Sequence, residues 1–487
     1  MTEFVSTRNN KITANAWEAV FNGIAPDGGL YVPVNVKSID VDEVLNLSYA
    51  ETAKIILRNM LPSFTDKEIS ESCDEAYLNL FDVKEVAPVV KVGEGYIAEL
   101  FHGETFAFKD VALSVLPRLM TRARKSLGHS EKILILTATS GDTGSAAMNG
   151  FRDVEGTGII TFFPKNGVSD IQKAQMTCME GGNLTACAVY GNFDDCQTTV
   201  KKMFAELKAP EGIHLSSANS INIARLAPQI TYYYTAYVSL VKSGEIQMGD
   251  KIDFVVPTGN FGDILAGFYA KRMGLPVGKL VCASNANRVL TDFIETGIYD
   301  KRREFKKTIS PSMDILISSN LERLIYMAEG ENDAVVASLM KQLSDKGFYK
   351  VSDEALTFIR ESFEGASYSD EEALEEIRKT FKETGYLLDP HTAVAYAAFR
   401  MRKQKNRTVI LSTASPYKFP DSVLKALGCE IPENAFDRIR LLEKVSGTKA
   451  PAGIKKLENA AVVSKDETAI ENAFEYVYGK AETICRN

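Results

Sequence analysis

The chain has 487 residues, 45% hydrophobic and 25% charged; at about 100–200 residues per domain this predicts two to four domains with an ordinary globular core. A net charge of −8 excludes a general nucleic-acid or anionic-membrane surface, since both need a surplus of Lys and Arg. A small anion held in a local pocket stays compatible with that balance.

The opening residues have no apolar run after a basic start, so no secretory signal is expected. The most apolar-looking stretch, residues 230–241, is shorter than the roughly 20 residues of a membrane span and is studded with Tyr and Thr. Seven cysteines, at 73, 178, 187, 196, 282, 429 and 485, form no Cys-x-x-Cys pair. Wide spacing and an odd number suit reduced thiols in a cytoplasmic protein. The four histidines (102, 129, 214 and 391) are scattered, and no metal site is expected.

Residues 1–95 read as a mostly helical opening module. Asp27-Gly-Gly-Leu-Tyr-Val-Pro33 marks a turn and short strand, and 49–60 and 66–80 carry apolar residues at helical spacing. From about residue 96 the pattern becomes strand, Gly-containing turn, helix. Strand signals fall at 133–136, 159–163, 184–189, 252–256, 280–283 and 408–412. Helices are expected at 146–151 and 195–207, and from the 257–263 turn through 271. That alternation predicts open parallel sheets flanked by helices, an α/β class. Residues 320–385 read as a helical, acidic insertion and 426–487 as a C-terminal extension, so the catalytic region spans 96–425 in two α/β lobes.

Two turns have the chemistry of anion sites. In Pro257-Thr-Gly-Asn-Phe-Gly-Asp263 a strand end, two glycines and a helix N-terminus converge backbone N–H groups; a tight βα turn needing positive φ would also explain it. Ser140-Gly-Asp-Thr-Gly-Ser145 adds small hydroxyl residues to the same arrangement, though simple helix capping accounts for it equally. Ligands of open α/β sheets bind at the strands' carboxyl ends, where both turns would sit. Lys109 lies between Phe108 and Asp110. Burial in so aromatic a setting would pull its pKa below about 10.4 and favour the nucleophilic amine. Taken alone, a single lysine is more often solvated.

Ordered motifs decide between these readings. His102-Gly-Glu-Thr-Phe-Ala-Phe-Lys109-Asp110 resembles the cofactor-lysine segment of the threonine synthase family. In the same order follow 139–145, Ser220-Ile-Asn-Ile-Ala-Arg225, 257–263, Asp389-Pro-His-Thr-Ala-Val394 and Ser412-Thr-Ala-Ser-Pro-Tyr-Lys418, with 27–33 ahead of them. The resemblance is to the longer bacterial and fungal type and runs from about residue 5 to 440, leaving the last 45 or so residues without it. Glu104 departs from a proline common in the lysine segment, a change expected to alter loop stiffness rather than chemistry.

The resemblance implies a tryptophan-synthase-β-like fold, fold type II of the pyridoxal-phosphate enzymes. It also implies a carbon–oxygen lyase making L-threonine and phosphate from O-phospho-L-homoserine and water. By position, Lys109 would attach pyridoxal 5'-phosphate as a Schiff base. Gly259, Asn260, Phe261, Gly262 and Asp263 would surround its phosphate, and Thr413 would face the pyridine nitrogen. Candidates for the substrate phosphate are Ser140, Thr143, Ser145 and Arg225, with Asn219, Asn222 and Lys165 behind them. His391 is expected to organise a helix start after Asp389 rather than act as a base. No nucleic acid or membrane partner is expected, and the state is monomer or small homo-oligomer. The rival readings are a threonine-synthase-like phospholyase giving 2-oxobutyrate and a non-catalytic cofactor-binding scaffold.

Overall fold

Alternate residues of the central strands belong to different cores, which is why those strands read as unbroken apolar runs. Ile133, Ile135, Ile159 and Phe163 pack into one core while Leu134, Leu136, Ile160 and Phe162 pack into another. In the second sheet Phe254, Cys282 and Leu411 face the first of these cores, and Val255, Val281 and Ile410 a third. A strand covered on both faces has no polar side to show.

In the computed structural model, which describes residues 3–403 and 405–485, these strands form two sheets, one per lobe. The first has five parallel strands in the spatial order Asp466–Ala469, Leu184–Tyr190, Thr157–Pro164, Lys132–Ala138, Ile213–Ser216. The second has six, in the order Phe363–Ser367, Val277–Ser284, Ile252–Pro257, Arg407–Ser412, Gly95–Glu99, Val89–Val92, parallel except at its last pairing. Helices Asp142–Phe151 and Gly262–Arg272 leave the carboxyl ends of their strands, one in each lobe. The expected α/β class and parallel sheets are present.

Two expectations need correction and one needs an addition. The opening module has helices at Ala16–Asn22, Tyr49–Met60 and Asp66–Tyr77, but also a three-stranded antiparallel sheet of Asn9–Ala14, Phe4–Ser6 and Tyr31–Pro33. Of the two strands not expected, Phe4–Ser6 has only three residues and Asn9–Ala14 is mostly polar, so neither carries an apolar alternation. Residues 320–385 are not all helix: Phe348–Lys350 pairs antiparallel with Ile298–Asp300, and Phe363–Ser367 is an edge strand of the six-stranded sheet. The C-terminal segment is no appendage either. Its strand Asp466–Ala469 closes one edge of the five-stranded sheet, and helix Ala473–Cys485 packs Val477, Ala481 and Ile484 against that sheet's outer face.

Candidate active site

The chain leaves strand Gly95–Glu99 and reaches helix Lys109–Leu113 through a loop closed by its own Asp110. That carboxylate accepts from the Thr105 N–H at 2.9 Å and the Thr105 hydroxyl at 2.6 Å. Glycine is required at 103, because a Cβ there would stand 2.4 Å from the Asp110 Cβ. The loop is clamped to the end of strand Arg407–Ser412: Phe108 N–H donates to the Thr413 carbonyl at 2.9 Å and Ser415 N–H to the Phe106 carbonyl at 3.0 Å. Thr413, itself buried, is thereby brought beside Lys109. The Lys109 Nζ sits 4.6 Å from the Phe108 ring centre. Burial lowers its pKa to about 8; Asp142 opposes the shift, and Lys418 and Arg225 add to it. Glu104, at the outer side of the loop, pairs with Arg152 at 2.9 Å.

The second loop follows strand Lys132–Ala138. Thr139 Oγ1 accepts from the N–H groups of Gly141 and Gly144, each at 2.9 Å. Gly141 has φ 144°, and a Cβ on it would lie 2.3 Å from Gln172. Helix Asp142–Phe151 starts without a side-chain cap from Gly141; Thr139 takes the Gly144 N–H, and the N–H groups of Asp142 and Thr143 before it are left to meet an anion. Ser140 and Thr143 are half-buried there. Ser145 turns inward, donating to the Gly141 and Asp142 carbonyls at 3.4 and 3.2 Å. Asp142 takes Lys418 Nζ at 2.9 Å and Gln172 Nε2 at 3.0 Å. Burial alone would raise this carboxyl, but Lys418 and Lys109 outweigh it and hold it below the usual carboxylate range.

Arg225 lies in helix Ile223–Leu226 and is buried. One guanidinium nitrogen donates to the Ala218 carbonyl at 2.6 Å, and its Nε has no hydrogen-bond partner among the described residues. Burial lowers its pKa to about 10, and no carboxylate acts against that shift. Among the described residues it has no structural ion pair, and the cation is unspent. Asn222 is used structurally, accepting from Ala224 N–H at 2.9 Å and donating to the Val20 carbonyl of the opening module at 2.8 Å. Asn219 is exposed and accepts from Ile221 N–H at 3.2 Å. Lys165 is not brought to this group: it pairs with Glu467 at 2.7 Å, in the C-terminal strand.

The third loop, between strand Ile252–Pro257 and helix Gly262–Arg272, is held by its carbonyls. Ser318 Oγ donates to the Gly259 oxygen at 2.8 Å, and Asn320 donates to the Asn260 oxygen through its N–H and its side chain at 3.1 and 3.0 Å. The fully buried Arg323 fixes that Asn320 at 2.6 Å and also binds the carbonyls of Tyr31 and Ile221 at 2.9 and 2.6 Å. Phe261 precedes the helix with φ 63° and no side-chain cap. Asp263 accepts from Tyr232 and Tyr233 at 2.6 and 2.9 Å, while its other oxygen has no partner among the described residues. Burial raises its pKa to about 6, against those two hydrogen bonds and the pull of Lys109.

Ser312 joins the loops. Its carbonyl stands 2.6 Å from where a Gly259 Cβ would be, and its hydroxyl donates to Asp142 at 3.4 Å. Its N–H donates to His391 Nε2 at 3.2 Å, and His391 Nδ1 meets Asp389 at 2.8 Å. The helix start at Pro390 is capped by Asp389 rather than by His391, whose ring instead carries the cap's carboxylate to Ser312. Reading the sequence did not single out Asp142, Gln172, Ser312 or Lys418 for the site. The signal for two of them was present, since Asp142 and Lys418 lie inside motifs quoted above.

Pyridoxal phosphate offers an aldehyde for an amine, a dianionic phosphate and a flat ring. The residues fit it: a half-buried lysine with a depressed pKa, a glycine that leaves no room for a Cβ, an uncapped helix N-terminus, and a buried hydroxyl residue beside the lysine. Together with the two parallel sheets this defines a pyridoxal-phosphate-dependent enzyme of fold type II. Family models agree: one described as pyridoxal-phosphate dependent enzyme matches residues 93–414, one for the threonine synthase N terminus matches 3–77, and one for the threonine synthase C-terminal part matches 392–466. The last carries the likeness well past residue 440, where the sequence motifs stop.

The chain belongs to the threonine synthase family. It is 40% identical to threonine synthase of Pseudomonas aeruginosa over 87% of its length and 90% of that protein. The crystal structure of PLP-bound threonine synthase from Brucella melitensis superposes with a TM-score of 0.89 at 37% identity, covering 98% of this chain and 99% of that one. A 39% match to human threonine synthase-like 1 covers 90% of this chain, which spans only 63% of the length of that protein.

Proposed function

We propose that the chain is a threonine synthase, converting O-phospho-L-homoserine and water to L-threonine and phosphate. The observation that carries this reading is Arg225, a buried guanidinium with an unspent Nε that acts electrostatically on Lys109. The helix N-terminus after Phe261 is available to a cofactor phosphate. A second, separate cation then implies a substrate with its own anion.

When bound, pyridoxal phosphate supplies an electron sink for carbanions formed at the substrate's reacting carbons. Lys109 would hold it, the N–H groups of Gly259, Asn260, Phe261, Gly262 and Asp263 would take its phosphate, and Thr413 would be the partner of the ring nitrogen. A hydroxyl there does not keep that nitrogen protonated, so more of the proton traffic falls to Lys109. An amine with a pKa of about 8 both takes and returns a proton near neutral pH, as transfers at Cα and Cβ require. The anionic Asp142 beside it favours the protonated amine, and Lys418 limits that effect. Arg225, Ser140 and Thr143 hold the substrate phosphate and neutralise it as it leaves. Asn219 flanks this group, Ser145 and Asn222 shape its loops, and Lys165 stays outside with Glu467.

Incubating holoenzyme with O-phospho-L-homoserine while following phosphate and threonine together tests the reading: equal release is expected. The similarity to threonine synthase-like 1 favours a second reading, elimination to 2-oxobutyrate. Phosphate release with 2-oxobutyrate in place of threonine would establish it instead.

A further inference from the structure

A second concavity lies away from Lys109, between the opening module and the outer ends of two helices. Its volume is about 190 Å³, below the roughly 300–1,000 Å³ of pockets for drug-sized ligands. A nucleotide or long peptide is too large for it. Val5 and Val32 of the three-stranded sheet and Met327 form the apolar side.

Three polar residues line the cavity. The Arg272 guanidinium has no carboxylate partner among the described residues and rests against the Met327 sulfur. The Glu331 carboxylate is exposed at the rim on a left-handed backbone, φ 61°, uncommon for a residue with a side chain. Tyr269, only 1% exposed, also lines the cavity. Both charges act on Tyr269: burial raises the phenol's pKa, Arg323 behind it and Arg272 lower it, and Glu331 raises it. A cation, an anion and a buried hydroxyl around a small apolar floor match the groups of one kind of metabolite.

We propose that this cavity binds a free α-amino acid, its carboxylate on Arg272 and Tyr269, its ammonium on Glu331 and its side chain on the Val5–Val32–Met327 floor. The walls are mechanically joined to the cofactor loop. Helix Gly262–Arg272 has that loop at its other end, and helix Leu321–Ala328 carries the Arg323 that fixes Asn320 on the Asn260 carbonyl.

The test needs no turnover, so it stands apart from the proposed reaction. Each proteinogenic L-amino acid is titrated by calorimetry into holoenzyme, into Arg225→Gln and into Arg272→Gln. At least one amino acid is expected to bind wild type and Arg225→Gln alike, one per chain, and to lose about tenfold or more in affinity on Arg272→Gln. Since Arg272 is exposed, its replacement should leave the melting temperature without ligand unchanged. No binding by any amino acid overturns the proposal. So does binding that Arg225→Gln abolishes and Arg272→Gln leaves intact, which would place the ligand in the Lys109 site.

Discussion

Asp142 and Lys418 form an ion pair at 2.9 Å with both side chains buried, and both act electrostatically on Lys109. Removing one member leaves the other as an uncompensated buried charge, at about 3–5 kcal/mol. Asp142→Asn should therefore lower the stability of the cofactor-free enzyme by that order in denaturant titration.

The same variant has a kinetic signature. Attachment of pyridoxal phosphate needs the neutral amine of Lys109, so its rate in the wild type should rise with pH through about 8. Asp142 raises that pKa, so Asn at 142 should move the midpoint of the rate–pH curve to lower pH. An unmoved midpoint would show that the pair does not govern Lys109.

Arg225→Gln keeps a donor but removes the cation. A lost partner in a buried charge-assisted contact is worth about 2–5 kcal/mol, so kcat/KM for O-phospho-L-homoserine should fall at least ~30-fold. The cofactor absorbance band should persist, because Arg225 is assigned to the substrate and not to the cofactor.

Gly259→Ala would push a Cβ to 2.6 Å from the Ser312 carbonyl. Overpacking of this kind costs about 1–3 kcal/mol. Its effect falls on the segment joining the two loops, so weaker retention of pyridoxal phosphate on dialysis is expected, with the fold intact by circular dichroism.

Asp263 supplies a pH test. Its pKa is raised from 3.8 to about 6, so the folded chain keeps this proton where the unfolded chain has lost it. The stability from Asp263 is complete below pH 3.8 and is lost as pH rises through about 6. Cofactor-free Asp263→Asn should lack this decline when urea midpoints are compared across that window.

What was legible in the sequence follows from burial. Strands such as Lys132–Ala138 and Ile252–Pro257 are covered on both faces and could be read directly. Phe363–Ser367 and Asp466–Ala469 are edge strands with partly exposed, polar or glycine-containing sequences, and nothing in their pattern distinguishes them from loops. The site divides in the same way. Lys109, Thr413 and the two glycine-bearing turns sit in local motifs, whereas the Asp142–Lys418 pair and the Ser312 bridge join positions far apart in the chain. Lys165 follows strand Thr157–Pro164, but its partner Glu467 lies in the strand that could not be seen.

Strand Asp466–Ala469 has a consequence for how the chain is made. Its neighbour Leu184–Tyr190 emerges from the ribosome nearly three hundred residues earlier, and Gly95–Glu99 waits as long for Arg407–Ser412. Until those late segments arrive, each nascent sheet presents unpaired strand edges open to other chains. Neither lobe can complete its sheet during most of synthesis, so the growing polypeptide has a long interval of exposure that the finished protein does not share.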